Sequence, residues 1–336
     1  MKLKLKALTT ALAVAGALSA ISVPAHAYVY AEAGVAVSNL TINIGTITPT
    51  AFVPATTTIN AYTFTVQDSA NLNNTGNVGL SAVCGSATTA CSTTAPVLDV
   101  NAVNGLGNTP GFVRLNNVFN TFGPTNAANY AGADAVIRES QLVTGNPDNL
   151  QVLAESNLSS GGTSGTANAS IQSITGFTVT FTVSGVNAFR IAFNAAAISI
   201  SDFNDAIASA GSAQANITTT LLLSQDNTSN SVFWRPNGTG TGTCFGSGIS
   251  CAAIVEGADL NRSTGDTTKG GAPNSYVQSG AFSGLFTGLV DGTYTLTLQT
   301  QGQTTVTRVP EPASLALIGA GLAGLGFIGR RQRKQA

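Results

Sequence analysis

The groups able to do chemistry in this 336-residue chain are mostly carboxylates. Two of them facing each other across a cleft can cleave a glycosidic bond, one as acid and the other as nucleophile or base. Asp202 and Asp205, around Phe203-Asn204, and Glu256 with Asp259 are the closest-spaced candidates. Spacing along the chain does not set a separation across a cleft. Glycosidase sites are also lined with aromatic rings, and here there are one Trp, Trp234, and six Tyr. Ordinary surface acids are the favoured reading. Residues 259–266, Asp-Leu-Asn-Arg-Ser-Thr-Gly-Asp, put oxygen side chains at alternate positions like a calcium loop. They lack the glycine at position six and the closing glutamate, so a polar turn is expected and no metal ligand is assigned.

Other chemistries lack their parts. The single histidine, His26, lies close to the N-terminus within an apolar leader-like stretch. Without an imidazole beyond it, Ser-His-Asp and Cys-His catalysis have no base, and histidine-containing zinc sites have no ligand. No phosphate-binding glycine loop ends in Lys-Ser/Thr, and no cofactor is expected. Residues 28–312 hold all fifteen acids but only seven of the fourteen cations, a net of 7 − 15 = −8. An acidic body with scattered Arg114, Arg138, Arg190, Arg235, Arg262, Lys269 and Arg308 offers no face for nucleic acid.

Four cysteines fall in two local pairs, Cys84/Cys91 and Cys244/Cys251. Equal spacing favours two local disulfides over crossed ones, and each loop of eight residues would add about 2.5 kcal/mol in the chain-entropy model. A four-thiolate metal site is the alternative, with spacing wider than is usual.

The elements that would carry these residues read as strands. Residues 36–47, 61–66, 176–183, 189–200, 215–223 and 293–299 alternate apolar residues with Thr, Ser or Asn, at period two. Asp291-Gly292 has the form of a hairpin turn. Residues 125–143 have enough Ala for one or two helical turns. Residues 159–169 and 238–248 read as flexible loops. The expectation is an all-β fold: an antiparallel β-sandwich with long loops over residues 28–308, as one large sandwich or two closely packed. Few lysines guard its strand edges, so those edges must be covered or used for association.

Both ends of the chain read as sorting signals. Lys2, Lys4 and Lys6 precede an apolar run, and Ala25-His26-Ala27 has the small-x-small form of a signal-peptidase site. A signal peptide over 1–27 is expected, with cleavage after Ala27 and a mature start at Tyr28. At the other end Val309-Pro310-Glu311-Pro312 precedes sixteen uncharged residues, 313–328, and then Arg330, Arg331, Arg333 and Lys334. A helix over that run would span roughly 24 Å, short of a hydrocarbon core of about 30 Å. The basic cluster would stop it on the cytoplasmic side and leave the body outside. The two prolines keep Glu311 out of helix, in an extended segment.

Val-Pro-Glu-Pro-Ala-Ser, the Leu/Ala/Gly-rich span and the Arg-Arg-x-Arg-Lys ending resemble the PEP-CTERM sorting domain of exported proteins in Gram-negative, exopolysaccharide-making bacteria. The resemblance, over 309–336, implies recognition by an exosortase, a membrane-embedded cysteine transpeptidase-like enzyme. It also implies transient anchoring in the inner membrane by a transmembrane helix, and removal of the tail near 310–312. The expected product is a non-enzymatic structural or adhesive protein of the cell surface or biofilm matrix. Its partners would be signal peptidase and exosortase, and then extracellular polysaccharide. A lectin-like carbohydrate-binding protein, with Trp234, Tyr62 or Tyr294 stacking on sugar, is one alternative. A carboxylate-dependent polysaccharide hydrolase is the other.

Overall fold

A computed structural model describes residues 28–48, 51–55, 58–72, 77–85, 97–104, 129–138, 148–159, 167–205, 208–240 and 243–310. The leader, Cys91, Glu311, Pro312, the span 313–328 and the basic cluster lie outside the described residues. In chain order the strands are β1 (Tyr28–Ile47), β2 (Phe52–Pro54), β3 (Thr58–Leu72), β4 (Asn77–Cys84), β5 (Val97–Asn104), β6 (Tyr130–Arg138), β7 (Asp148–Ser159) and β8 (Ala167–Val183). They continue as β9 (Ala188–Asn204), β10 (Ala208–Gln225), β11 (Ser231–Trp234), β12 (Cys244–Ser247), β13 (Ser250–Glu256), β14 (Ser263–Asp266), β15 (Asn274–Thr287) and β16 (Gly292–Pro310). Among the described residues there is no helix, and so none long and apolar enough to cross a membrane, which says nothing of strands.

The strands form two antiparallel sheets. The first runs β13-β15-β9-β1-β7-β6-β5, with β2 continuing the edge of β1. The second runs β12-β11-β10-β16-β8-β3-β4, with β14 beside β10. Their inner faces share one cluster of buried side chains, as the period-two patterns require. In β1 the inward residues are Val29, Ala31, Ala33, Val35 and Val37, and then, past a bulge, Leu40 and Ile44. Asn39, with φ of 56°, sits in that bulge, and the extra residue moves the inward set from odd to even positions.

Three local expectations are corrected. Residues 130–138 form strand β6 between β5 and β7, because pairing on both sides satisfies the backbone and buries both faces of an Ala/Gly/Val-rich segment. Asp291-Gly292 makes no hairpin: β15 belongs to the first sheet and β16 to the second, so the turn carries the chain across the sandwich. There the Asp291 carboxylate accepts the Gly185 N–H at 2.8 Å. Residues 238–240 and 243–247 are also fastened rather than free: Glu256 holds Gly240 and Thr243, and β12 pairs with β11.

The chain crosses from the second sheet to the first at both lateral edges, from β4 to β5 and from β12 to β13. The cysteines sit at these crossings. Cys244 opens β12 and Cys251 lies in β13, so their disulfide, with Cα atoms 6.3 Å apart, ties one sheet edge to the other. Cys84 closes β4 and is also disulfide-bonded; its expected partner, Cys91, lies outside the described residues.

Candidate functional site

Asp202 and Asp205 come from the last turn of β9, where the chain passes from one sheet to the other. The Tyr28 hydroxyl donates to Asp202 at 2.7 Å. Burial raises the Asp202 pKa, and neighbouring Asp266 raises it further against the opposing effect of Tyr28. Asp205 is fully buried; it accepts the Ala208 N–H at 3.0 Å and pairs with buried Arg308. Asp266 holds the turn from the other side, accepting the Phe203 N–H at 3.0 Å and the Thr268 N–H at 2.8 Å. Lys269 donates to the Ala208 carbonyl at 2.7 Å. Asp205 and Asp266 thus fasten backbone and cation, while Asp202 takes the Tyr28 hydroxyl.

Glu256 and Asp259 are likewise separate. One Glu256 oxygen accepts Trp234 Nε1–H at 2.7 Å and the Thr243 hydroxyl at 2.6 Å. The other accepts the N–H groups of Asn237 and Gly240 at 3.0 and 3.2 Å. Burial pushes the Glu256 pKa up, but the bonds from Thr243, Trp234, Gly240 and Asn237 outweigh it and leave the pKa lowered. The carboxylate is a clamp on the glycine-rich loop. Asp259 accepts the Asn261 N–H at 2.8 Å, within the polar turn before β14. Among the described residues no three His, Cys, Asp or Glu side chains converge as a metal site.

One carboxylate pair was not legible in the sequence. Glu32 and Glu155 lie directly opposite on β1 and β7. The Tyr30 hydroxyl bridges them at 2.7 and 2.8 Å, and the Tyr130 hydroxyl reaches the same Glu155 oxygen at 2.6 Å. Burial, then Glu155 and Glu32, push the Tyr30 pKa well above its ordinary value. Both glutamates and Tyr130 are at 0 % exposure, so no substrate reaches them. Tyr30 and Glu32 alternate with the inward Val29, Ala31 and Ala33, a pattern that on its own predicts solvent exposure.

The stacking candidates also move. Trp234 and Tyr294 are fully buried core residues, unavailable to a sugar; Tyr62 is half-buried with its ring 5.5 Å from that of Phe64. The outward aromatic residues are their neighbours. Leu222, Phe233 and Phe245 occupy adjacent register positions on β10, β11 and β12, at 41 %, 36 % and 62 % exposure. The same row continues through Thr297 on β16, Thr178 on β8 and Thr63 on β3. Thr180, Thr295 and Ser224 form the next row. Among the described side chains, no strand residue on this outer face is charged. On the opposite sheet a shallow trough crosses the strands along Gln151, Ala36, Ala196 and Ser279, with Ser38 and Asn194 on its banks.

The sorting residues meet the fold at one point. Val309 and Pro310 are the last residues of β16, paired with Ala210 and Ala208 of β10. The PEP-CTERM protein-sorting motif matches residues 308–334. The match therefore begins inside the last strand. This motif implies an exported protein processed by an exosortase, anchored transiently by its tail and then extracellular. No curated protein and no solved structure matches the chain.

Proposed function

We propose that a chain carrying this sorting motif serves, once exported and freed of its tail, as a non-enzymatic structural and adhesive component of the cell surface or exopolysaccharide matrix. The outer face of the second sheet carries this reading. Hydroxyl rows there exchange hydrogen bonds with a hydrated neutral partner, while the row Leu222, Phe233, Phe245 supplies apolar contact at one edge. The absence of charge on its strand positions favours an uncharged ligand over nucleic acid or an anionic surface. Adjacent strands stand about 4.8 Å apart, close to the rise of one sugar in an extended glycan, so a chain laid across the strands would meet one row position per sugar. This favours the lectin-like form of the reading, with Phe233 and Phe245 in the role first given to Trp234.

Retention of the purified 28–310 body on insoluble neutral polysaccharide tests it. Phe233→Ala with Phe245→Ala is expected to weaken binding at least tenfold with an unchanged melting temperature. Equal binding by the variant removes this surface from the account. Release of reducing sugar by the purified body would replace the structural reading with the hydrolase one.

A further inference from the structure

We propose that the free edge of β15, residues 274–280, pairs with the same edge of a second copy of this chain, antiparallel and about a two-fold axis at Val277, so that the first sheets of two molecules join into one. The contact is backbone to backbone and lies on the first sheet, away from the polysaccharide face of the second.

β15 is paired along its whole length on one side only. There β9 takes Asn274–Thr287 without a register shift, from Ser201 to Ala188. On the other side β13 reaches only from Thr287 to Phe282, and the chain then turns away beneath Gly280. A Cβ on Gly257 would lie 2.6 Å from the Gly280 Cα and 2.7 Å from the Ala281 nitrogen. Among the described residues, none pairs with 274–280 on that side. Every second residue of a strand turns its N–H and C=O to the same edge, so this stretch presents an open row of donors and acceptors. The edge of β13 differs: Cys251 ties it to β12, and Glu256 at its end holds the Asn237 and Gly240 N–H groups.

Edge strands that must stay single are blunted by lysine, proline, a bulge or shortness. Residues 274–280 carry no charge, no proline and no bulge, and at about 3.4 Å per residue they run for about 24 Å. The edge is also preformed. From below, the Tyr276 hydroxyl accepts the Asp259 N–H at 2.6 Å, with the Arg262 guanidinium 5.4 Å from the ring centre, and Asn274 donates to the Gly265 carbonyl at 3.2 Å. An arriving strand therefore meets an edge that needs no further ordering. The open stretch suits its own copy. It is bounded by Gly257 at one end and follows Pro273 at the other, so the same segment laid antiparallel on it is centred on its middle residue, Val277. Val277, at 62 % exposure, then meets Val277 of the other copy, Ser275 meets Ser279, and Tyr276 meets Gln278. An uncharged edge brings no like charges together when it pairs with itself, and it offers no counter-charge to an acidic or basic strand. A two-fold contact uses the same patch on both copies and closes at the dimer.

Sedimentation equilibrium of extracellular protein from cells making the full chain tests the pairing. A reversible monomer–dimer equilibrium is expected. Val277→Lys sets two ammonium groups face to face and should weaken the dimer at least tenfold, with an unchanged melting temperature because the side chain is exposed. Ser229→Lys adds the same charge at an exposed turn far along the chain from this edge and should leave the equilibrium unchanged. A monomer at every soluble concentration overturns the proposal, and so does a dimer that Val277→Lys leaves intact. Assembly that runs on past the dimer overturns the two-fold form. Retention on polysaccharide is read through Phe233 and Phe245 of the other sheet, so either reading can fail without the other. For the register, Val277→Cys treated with a short thiol crosslinker should give a covalent dimer at least threefold faster than Val290→Cys, an exposed valine off this edge. Equal rates at the two positions overturn the pairing at Val277.

Discussion

The half of the core nearest the 288–291 crossing is packed with rings, whereas the half nearest Arg308 is lined mainly by alanine, glycine, valine and hydroxyls around the ring of Phe203. In the first half, ring neighbours run Tyr294–Phe181–Phe189–Phe286–Trp234–Phe193–Phe282, with centroids 5.0–6.2 Å apart, crossing from one sheet to the other. In the second half the sheets come so close that a Cβ on Gly302 would lie 2.6 Å from the Ala33 carbonyl oxygen. Contacts between the sheets there are polar: Ser156 donates to Thr304 at 2.8 Å, and Ser199 meets Thr264 at 2.9 Å and the Ala215 carbonyl at 3.0 Å. The same strands serve both halves. β16 presents Tyr294, Leu296 and Leu298 inward, then Thr300, Gly302 and Thr304. Large rings bury 150–250 Å² each, so apolar driving force concentrates at one end. The end around Arg308 is held instead by close approach, hydroxyl bonds and, among the described residues, the Arg308–Asp205 ion pair. The apolar driving force thus lies at the end of the long strands opposite the one where the sorting-motif match begins.

Truncation at the ring end should be the most damaging. Trp234→Ala removes the ring between Phe193 and Phe286 and the donor to Glu256, and about 3–5 kcal/mol of unfolding free energy should be lost in urea titrations. A loss below about 1 kcal/mol would show that the ring half does not dominate. Gly302→Ala probes the other half. Its methyl meets backbone, which cannot rotate away, so about 1–3 kcal/mol is expected from an addition of one carbon. A neutral result would mean that the sheets separate easily there. The hydroxyl pair gives a finer contrast. Thr304→Val should cost about 1–2 kcal/mol by leaving the buried Ser156 hydroxyl without its acceptor, and Ser156→Ala in the same chain should recover most of it. A double variant as unstable as the sum of the two singles would show that the two hydroxyls do not act as a pair.

Much of the ring half was legible in the sequence. Residues 176–183 and 189–200 alternate cleanly, and they became β8 and β9 with Phe177, Phe181, Phe189 and Phe193 inward. The hydroxyl half was harder to read, because Thr and Ser count as the outward members of an alternating strand. Thr175, Ser199, Ser201, Thr300 and Thr304 are buried nonetheless, and only the facing sheet decides that. The helical reading of 125–143 failed for a related reason: Ala suits a helix locally, but β6 is paired on both sides, by β5 and β7, which satisfies its backbone without one. Trp234 was read as a possible sugar platform because it is the lone Trp. Its inward position follows from pairing with Leu221 and Cys244, which places Phe233 outside. Glu32 and Glu155 gave no signal at all, since they come together only through register. The sorting motif was legible for the opposite reason: its parts are contiguous and need no fold to align them.

The smallest effect expected is one of pH, and it concerns the Glu256 clamp at the ring end. Glu256 is half-buried, and its four hydrogen bonds favour the ionised form enough to leave its pKa below the ordinary 4.5. A carboxyl whose folded pKa is lower than its unfolded one binds protons more readily when unfolded. The stability it contributes is therefore complete above the ordinary value and fades as pH falls below 4.5 toward the folded value. Solvent screening at this partly open site keeps the contribution to about 1 kcal/mol or less. Glu256→Gln keeps an acceptor for Trp234 or Thr243 but has no charge to lose. Its melting temperature should lie slightly below that of the unaltered protein at pH 7, and the gap should narrow as the pH is taken from 5 down to 3. A gap that stays constant over that range would mean that Glu256 holds the 237–243 loop by shape rather than by charge. The 237–243 loop would then owe little to charge, in contrast to the Arg308 end with its buried Arg308–Asp205 ion pair.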